Sequence, residues 1–304
     1  IDHSDFPADL KLADMTPIFK KVDRTSKTNY RNISVLPAAS KCFDRIMEKQ
    51  ITPFIDKKLS PYLCGYRKGY NAQHALLSLL EKWKESLDKG GFAGGVLMDL
   101  SKAFNTLNHE LLIAKLAAYG FSKSALKLRV KVNNSMSSWV ELLQRVPQGS
   151  VLGPLLFNIY INDMFWLNDN TDICNYADDT TPHACDIDIQ NLIRRLEHDC
   201  LLAIDWFDSN YMELNREKFH FLLAGHKNEN FFANVGDAQI WESNEEYLLG
   251  ITINRNLKFN AHLTKLCAKV SQKISALNRV SRYMTTEKRR MLFKSFIESQ
   301  CAYC

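Results

Sequence analysis

The chain has 304 residues, 46% hydrophobic and 24% charged, with a formal net charge of +5. That composition fits a globular protein with a sizeable core and excludes fibrous, low-complexity and disordered classes; no apolar run nears the roughly 18 residues of a membrane span, and Ile1 opens into charged sequence, not a signal peptide. The charge is segregated: Lys+Arg against Asp+Glu is 16 to 11 over residues 1–90, 12 to 21 over 91–254 and 11 to 2 over 255–304, so an acidic centre stands between basic ends suited to polyanions.

Short β-like pieces at TPIF (16–19) and ISVL (33–36) come first, then a helix over about 40–59. Asn71 is the predicted cap of a helix that buries Ala75, Leu76, Leu79, Leu80 and Trp83, and Gly90-Gly91 breaks the chain after it. Val96-Leu97-Met98 is a buried strand ending on Asp99. The next helix buries Leu107, Leu111, Leu112 and Leu116 and stops at Gly120. VPQGSVLGPLLFNIYINDM (146–164) opens as a turn and becomes an apolar helix.

DICNYADDTTPHAC (172–185) alternates as a strand and turns back at Asp-Asp-Thr-Thr-Pro, a hairpin signal. Ile189, Leu192, Ile193, Leu196, Cys200, Ala203 and Phe207 mark one face of a long amphipathic helix. KFHFLLAG (218–225) and YLLGITIN (247–254) are later strands, and two basic helices follow His262. The expected fold is α+β, with helices packed on a largely antiparallel sheet.

Eight cysteines in a chain of this size do not suggest a disulfide framework. Cys301 and Cys304 have CxxC spacing, but one pair cannot build a four-ligand zinc site. A reducing, intracellular compartment is the expectation. A start at Ile1 in place of Met is read as a piece of a longer chain.

Asp178 and Asp179 pose the chemical question, since adjacent carboxylates repel. If the strand ending on Asp99 neighbours their hairpin, three carboxylates converge, and they need a shared cation. All-oxygen ligands suit Mg²⁺ or Mn²⁺, and two such ions about 4 Å apart serve phosphoryl displacement. A bare Asp-Asp is also an ordinary turn, and Asp99 an ordinary helix-entry residue.

The motifs then resemble one family. YADD (176–179) looks like the Y/F-x-D-D box of reverse transcriptases, and LMDLSKAFNTLNHELLIAKLAAYG (97–120) their first carboxylate motif. VPQGSVLGPLLFNIYINDM is similar to the box of non-LTR (LINE-type) retrotransposon polymerases. TPIFKKVDRTSKTNYRNISVLP and CGYRKGYNAQHAL resemble that group's fingers motifs, and LNREKFHFLLAG and YLLGITIN its later palm motifs.

The resemblance implies a right-hand polymerase, with fingers at 1–90, palm at 91–255 carrying a helical insert near 120–145, and a truncated thumb at 256–304. It implies an RNA-directed DNA polymerase that joins dNTPs to a DNA primer on an RNA template, in nucleus and cytoplasm, with no membrane partner. Asp99, Asp178 and Asp179 become catalytic metal ligands for two Mg²⁺ (Mn²⁺ possible), with the Leu100 carbonyl beside them. Phe104 becomes a steric gate against ribonucleotides. Gln148 and Gly149 line the nucleotide pocket, Lys21, Arg31 and Arg67 grip the triphosphate, and Lys218 stands by the leaving pyrophosphate as a proton donor. Residues 247–250 become the primer-grip hairpin.

Three positions depart from the family pattern. Asn105 stands where Asp is usual, Arg145 where Gly is common and Asn32 where Pro is usual. They keep open a second reading, a catalytically decayed remnant that only binds nucleic acid.

Overall fold

The computed structural model describes residues 14–19, 23–26, 29–100, 103, 106–121, 131–132, 140–141, 150–167, 170–226 and 230–303. In chain order these form β1 (Asp14–Phe19), β2 (Tyr30–Val35), α1 (Ala38–Ile55), α2 (Ala72–Asp88), β3 (Phe92–Leu97), α3 (His109–Ala118), β4 (Lys131–Val132), β5 (Val140–Glu141) and α4 (Gly153–Ile161). Then come β6 (Asp172–Tyr176), β7 (Asp179–Asp186), α5 (Ile189–Ser209), β8 (His220–Ala224), β9 (Phe232–Val235), β10 (Ala238–Trp241), β11 (Glu245–Leu248) and β12 (Ile251–Asn254). Helices α6 (Asn260–Ser281) and α7 (Thr286–Phe293) lead through a π-helical turn to α8 (Ser299–Cys301).

The centre is a four-stranded sheet in the order β6-β7-β3-β8, and every neighbouring pair in it is antiparallel. Both faces are covered, and the two strands β3 and β8 accordingly read as nearly continuous apolar runs. In β8, Phe221 and Leu223 enter one core while Leu222 and Ala224 enter the other. The first core packs under α5 and α4, and the second under α2 and the β11–β12 hairpin. Each buried Leu or Phe contributes roughly 1.5–3 kcal/mol.

Strand β3 begins earlier than its apolar triplet suggests. Gly94 and Gly95 are strand-weakening residues by propensity, yet both lie inside it. A Cβ on Gly94 would stand 3.0 Å from Leu223 and 3.1 Å from Leu192. Close packing of α5 on the sheet therefore overrides propensity here.

Asn71 caps α2 as expected, accepting from His74 N–H in a full capping box. Residues 247–254, a strand by their apolar pattern and part of a hairpin by the resemblance, form a hairpin in which Leu249-Gly250 turns the chain between β11 and β12. The β9–β10 hairpin went unread in the sequence. The helical insert expected near 120–145 lies mostly outside the described residues. Its described pieces pair as two short antiparallel strands, β4 with β5.

Helix α4 is apolar all round and buried, as Phe157, Ile159, Tyr160 and Ile161 show. Two asparagines follow its burial one turn apart, Asn158 and, just past its end, Asn162, at 1% and 0% exposure. That spacing puts both on one face, and both reach the segment before α2. Asn162 Oδ1 accepts from Ser60 N–H at 2.7 Å, and its Nδ2 donates to the Lys58 carbonyl at 3.1 Å. Asn162→Ala leaves both groups without these partners, and the expected loss is about 1–3 kcal/mol of stability, checked by the urea midpoint.

Candidate active site

The sheet's registers decide where the acids go. Met98 bridges Thr180, with Met98 N–H donating to the Thr180 carbonyl at 2.9 Å. One step further along, this register sets Asp99 opposite Asp179. On the other side Leu97 pairs with His220, and two steps further Asp99 meets Lys218. Its ammonium touches Asp99 Oδ2 at 2.6 Å. The Asp99 carbonyl is also fixed, accepting from Asn215 N–H at 3.0 Å, while Leu100 bridges Leu214.

Tyr176 pairs with Asp179, so Ala177 and Asp178 form a two-residue hairpin loop. Ala177 has φ +58°, a left-handed conformation that costs an L-residue roughly 1–2 kcal/mol. Asn175, fully buried, holds this turn from inside. Its Nδ2 donates to the carbonyls of Ala177 (3.1 Å) and Asp179 (3.2 Å) and to Thr180 Oγ1 (3.1 Å).

Burial pushes the Asp179 carboxyl up to about 6, and the charges of Asp178 and Asp99 act in the same direction. The residue is nevertheless exposed at the hairpin tip. Solvent on its open side moderates the free energy attached to the shift. Burial likewise pushes the neighbouring Cys174 thiol up to about 12, aided by Cys64 and Asp179.

An all-carboxylate donor set at this repulsive spot suits a hard divalent cation. The three acids are neighbours in the register but not a closed cage. Among the described residues no three acidic, histidine or cysteine side chains are gathered to hold an ion, and Lys218 engages Asp99 instead. The Lys218 and Asp99 side chains are 62% and 35% exposed. Such a pair is worth at most about 1 kcal/mol and exchanges readily for another cation.

Arg67 does not stand free for a triphosphate. Its side chain is 6% exposed. The guanidinium donates to Asp56 Oδ1 (2.9 Å) and to the carbonyls of Ser60 (2.8 Å), Leu63 (3.2 Å) and Asp56 (3.2 Å), and it stacks on Tyr70 at 4.4 Å. These bonds tie the segment between α1 and α2 to itself. Lys21, Phe104, Asn105, Arg145, Gln148 and Gly149 lie outside the described residues, and of Arg31 and Asn32 only the backbone in β2 is described.

Sequence reasoning passed over Asn175, Asn158 and Gly65. Asn175 looks like one polar step of an alternating strand, and nothing in that pattern reveals that its neighbours bury it. The clue was present in both faces of the sheet being apolar, which leaves a strand asparagine no solvent side.

A family model described as reverse transcriptase (RNA-dependent DNA polymerase) matches residues 19–253. The probable RNA-directed DNA polymerase from transposon X-element of Drosophila melanogaster is 26% identical over 293 residues, covering 89% of this chain and 32% of that protein. The RNA-directed DNA polymerase from mobile element jockey of the same species is 25% identical over 302 residues, covering 91% and 32%. The chain thus spans about a third of the length of these curated relatives.

Among solved structures, Candida tropicalis telomerase in complex with a TWJ fragment of telomeric RNA aligns with a TM-score of 0.54 at 14% identity, over 96% of this chain and 53% of that one. The apo telomerase truncated from its C-terminal domain gives 0.53 at 14%, over 83% and 54%. At that identity the likeness shows the α+β fold alone.

The raised Asp179 carboxyl has a sign. Its folded value lies above the ordinary one of 3.8, so it favours the folded state at acid pH and that contribution is lost as pH rises through about 6. Without divalent ions, Asp179→Asn is expected to flatten the fall in melting temperature between pH 4 and 7 and to raise it at pH 7. Thermal melts in EDTA across that range check this.

Proposed function

The chain belongs to the reverse transcriptase (RNA-dependent DNA polymerase) family, and we propose that it is an RNA-directed DNA polymerase extending a DNA primer with dNTPs on an RNA template. The observation that carries this is the double register on β3, which brings Asp99, Asp179 and the Asp178 turn to one end of the sheet.

In this reading Asp99, Asp178 and Asp179, with the Leu100 carbonyl, hold two Mg²⁺ or Mn²⁺. When bound, these ions lower the pKa of the primer 3′-OH and neutralise charge on the phosphates. The protein's own part is placement. Strand β3 fixes Asp99, and the β6–β7 turn aims Asp178 and Asp179 at the same point. Lys218, which engages Asp99 at 2.6 Å, stands on the side of the site reached from β8. There it can give its proton to the departing pyrophosphate. Attack by the primer oxygen on the α-phosphorus forms one P–O bond and breaks that to the pyrophosphate, the 3′-OH proton passing to solvent.

Phe104 is proposed as the gate against a 2′-OH, Gln148 and Gly149 as the pocket lining, and Lys21 and Arg31 as triphosphate contacts. Arg67 is left out because its donors serve the 56–67 segment. Residues 1–90 are read as fingers, although α2 shares a core with the sheet; 91–255 are the palm and 256–304 the thumb. The basic α6 and α7 suit a nucleic-acid backbone, whose binding then weakens with salt.

Asp178→Asn is expected to lower Mg²⁺-dependent primer extension by roughly 100-fold or more while template–primer affinity stays near that of the parent. Extension that survives in this variant, or in EDTA, refutes the metal assignment. Phe104→Ala is expected to admit ribonucleotides, read as the ratio of rNTP to dNTP incorporation; an unchanged ratio removes Phe104 from the gate.

A further inference from the structure

The segment between α1 and α2 is pinned along its length and delivers one residue to the catalytic turn. Asn162 holds it at Ser60, and Arg67 ties it to Asp56, Ser60 and Leu63. Leu63 bridges in parallel to Asn175, so the segment runs beside β6 toward its tip. Asn158 Nδ2 donates to the Gly65 carbonyl at 2.8 Å, and Gly65 is buried.

Gly65 lies against Ala177. A Cβ on it would stand 2.3 Å from Ala177 N and 2.8 Å from Ala177 Cα. Both are backbone atoms, so no side-chain rotation relieves the clash. Gly65 is not among the positive-φ glycines of the described chain. It is therefore glycine for space, a close backbone approach, and not for torsional freedom.

We propose that Gly65, held by Asn158, is a positioning residue: a backbone ledge that sets the turn carrying Asp178 and Asp179. The proposal rests on reading those aspartates as the catalytic pair. Asn175 ties the turn from within the hairpin, and the ledge blocks the side of Ala177 that faces residue 65, so the two together fix where the carboxylates point. The ledge is as rigid as its anchors, which come from α4 and from Arg67.

A double-mutant cycle between Gly65→Ala and Ala177→Gly tests it, read by hydrogen exchange at the amides of residues 177–180 and by the rate of single-nucleotide extension. Gly65→Ala is expected to speed exchange there and to lower kcat, each about tenfold or more, with template–primer affinity unchanged. Glycine at 177 frees the turn to retreat from the added methyl, so the double variant recovers both. A merely structural glycine predicts the opposite, a double variant no better than the single, since a second glycine only loosens the turn. Should Gly65→Ala not fold, Asn158→Ala removes the anchor without adding atoms and is expected to change the same two readouts in the same direction. Unchanged exchange in that variant, or a cycle without recovery, overturns the proposal. If the parent protein does not extend primers at all, the polymerase reading falls, while the exchange data still decide whether Gly65 sets the turn.

Discussion

Asp99 sits where two antiparallel registers end on one strand, and the rest of the site follows from that. From β7 it faces a carboxylate, and from the approach to β8 an ammonium. Two like charges about 4 Å apart cost roughly 1 kcal/mol in water and about 4 at an effective dielectric of 20. The chain cannot escape this by sliding β7. A one-residue slip would turn every inward side chain of that strand to the opposite face, and both faces are packed. Burial of the sheet thus forces the acids together, and a cation relieves what the core imposes.

A rigid sheet end still leaves a hairpin tip free to sway, and buried asparagines deal with that. Asn158, Asn162 and Asn175 are all nearly inaccessible, and each donates to a backbone carbonyl in a loop or turn. A buried carbonyl without a partner costs about 1–3 kcal/mol, so these amides specify loop paths more sharply than apolar contacts do. The loop between α1 and α2 and the Asp178–Asp179 turn share this device, and both are anchored to α4 or to the hairpin itself. Lys115 does similar work nearby. Burial lowers its pKa, and it joins α3 to the end of α4 through the Tyr160 carbonyl and Asp163.

Much of this was legible in the sequence, for stated physical reasons. Helix α5 announces itself by a 3.6-residue apolar repeat, and the β6–β7 hairpin by alternation broken at Asp-Asp. The convergence of Asp99 with the Asp178–Asp179 pair followed from placing each at a strand end. What escaped was whatever depends on a distant partner. Strand β3 reads only from Val96 because the packing of Gly94 against Leu192 and Leu223 is non-local. Arg67 read as a phosphate ligand because motif position says nothing about the Asp56 carboxylate and backbone carbonyls folded around it. Asn175 read as a polar step because strand periodicity does not reveal a covered face.

The choice of alanine at 177 and glycine at 65 then makes sense as a pair. A two-residue hairpin loop with positive φ at its first position favours glycine there, and this chain places alanine, accepting local strain. Glycine at 177 would open further backbone conformations to the turn, a freedom of use only if residue 65 carried a Cβ to be avoided. The glycine instead stands across the contact, at 65, where the missing Cβ lets two backbones touch. Strain in the turn and emptiness in the ledge therefore serve one end: the residue next to Asp178 is restricted to few conformations, and the space around it excludes the rest. The strained residue persists because its surroundings, three bonds from Asn175 and a neighbouring backbone, over-determine it.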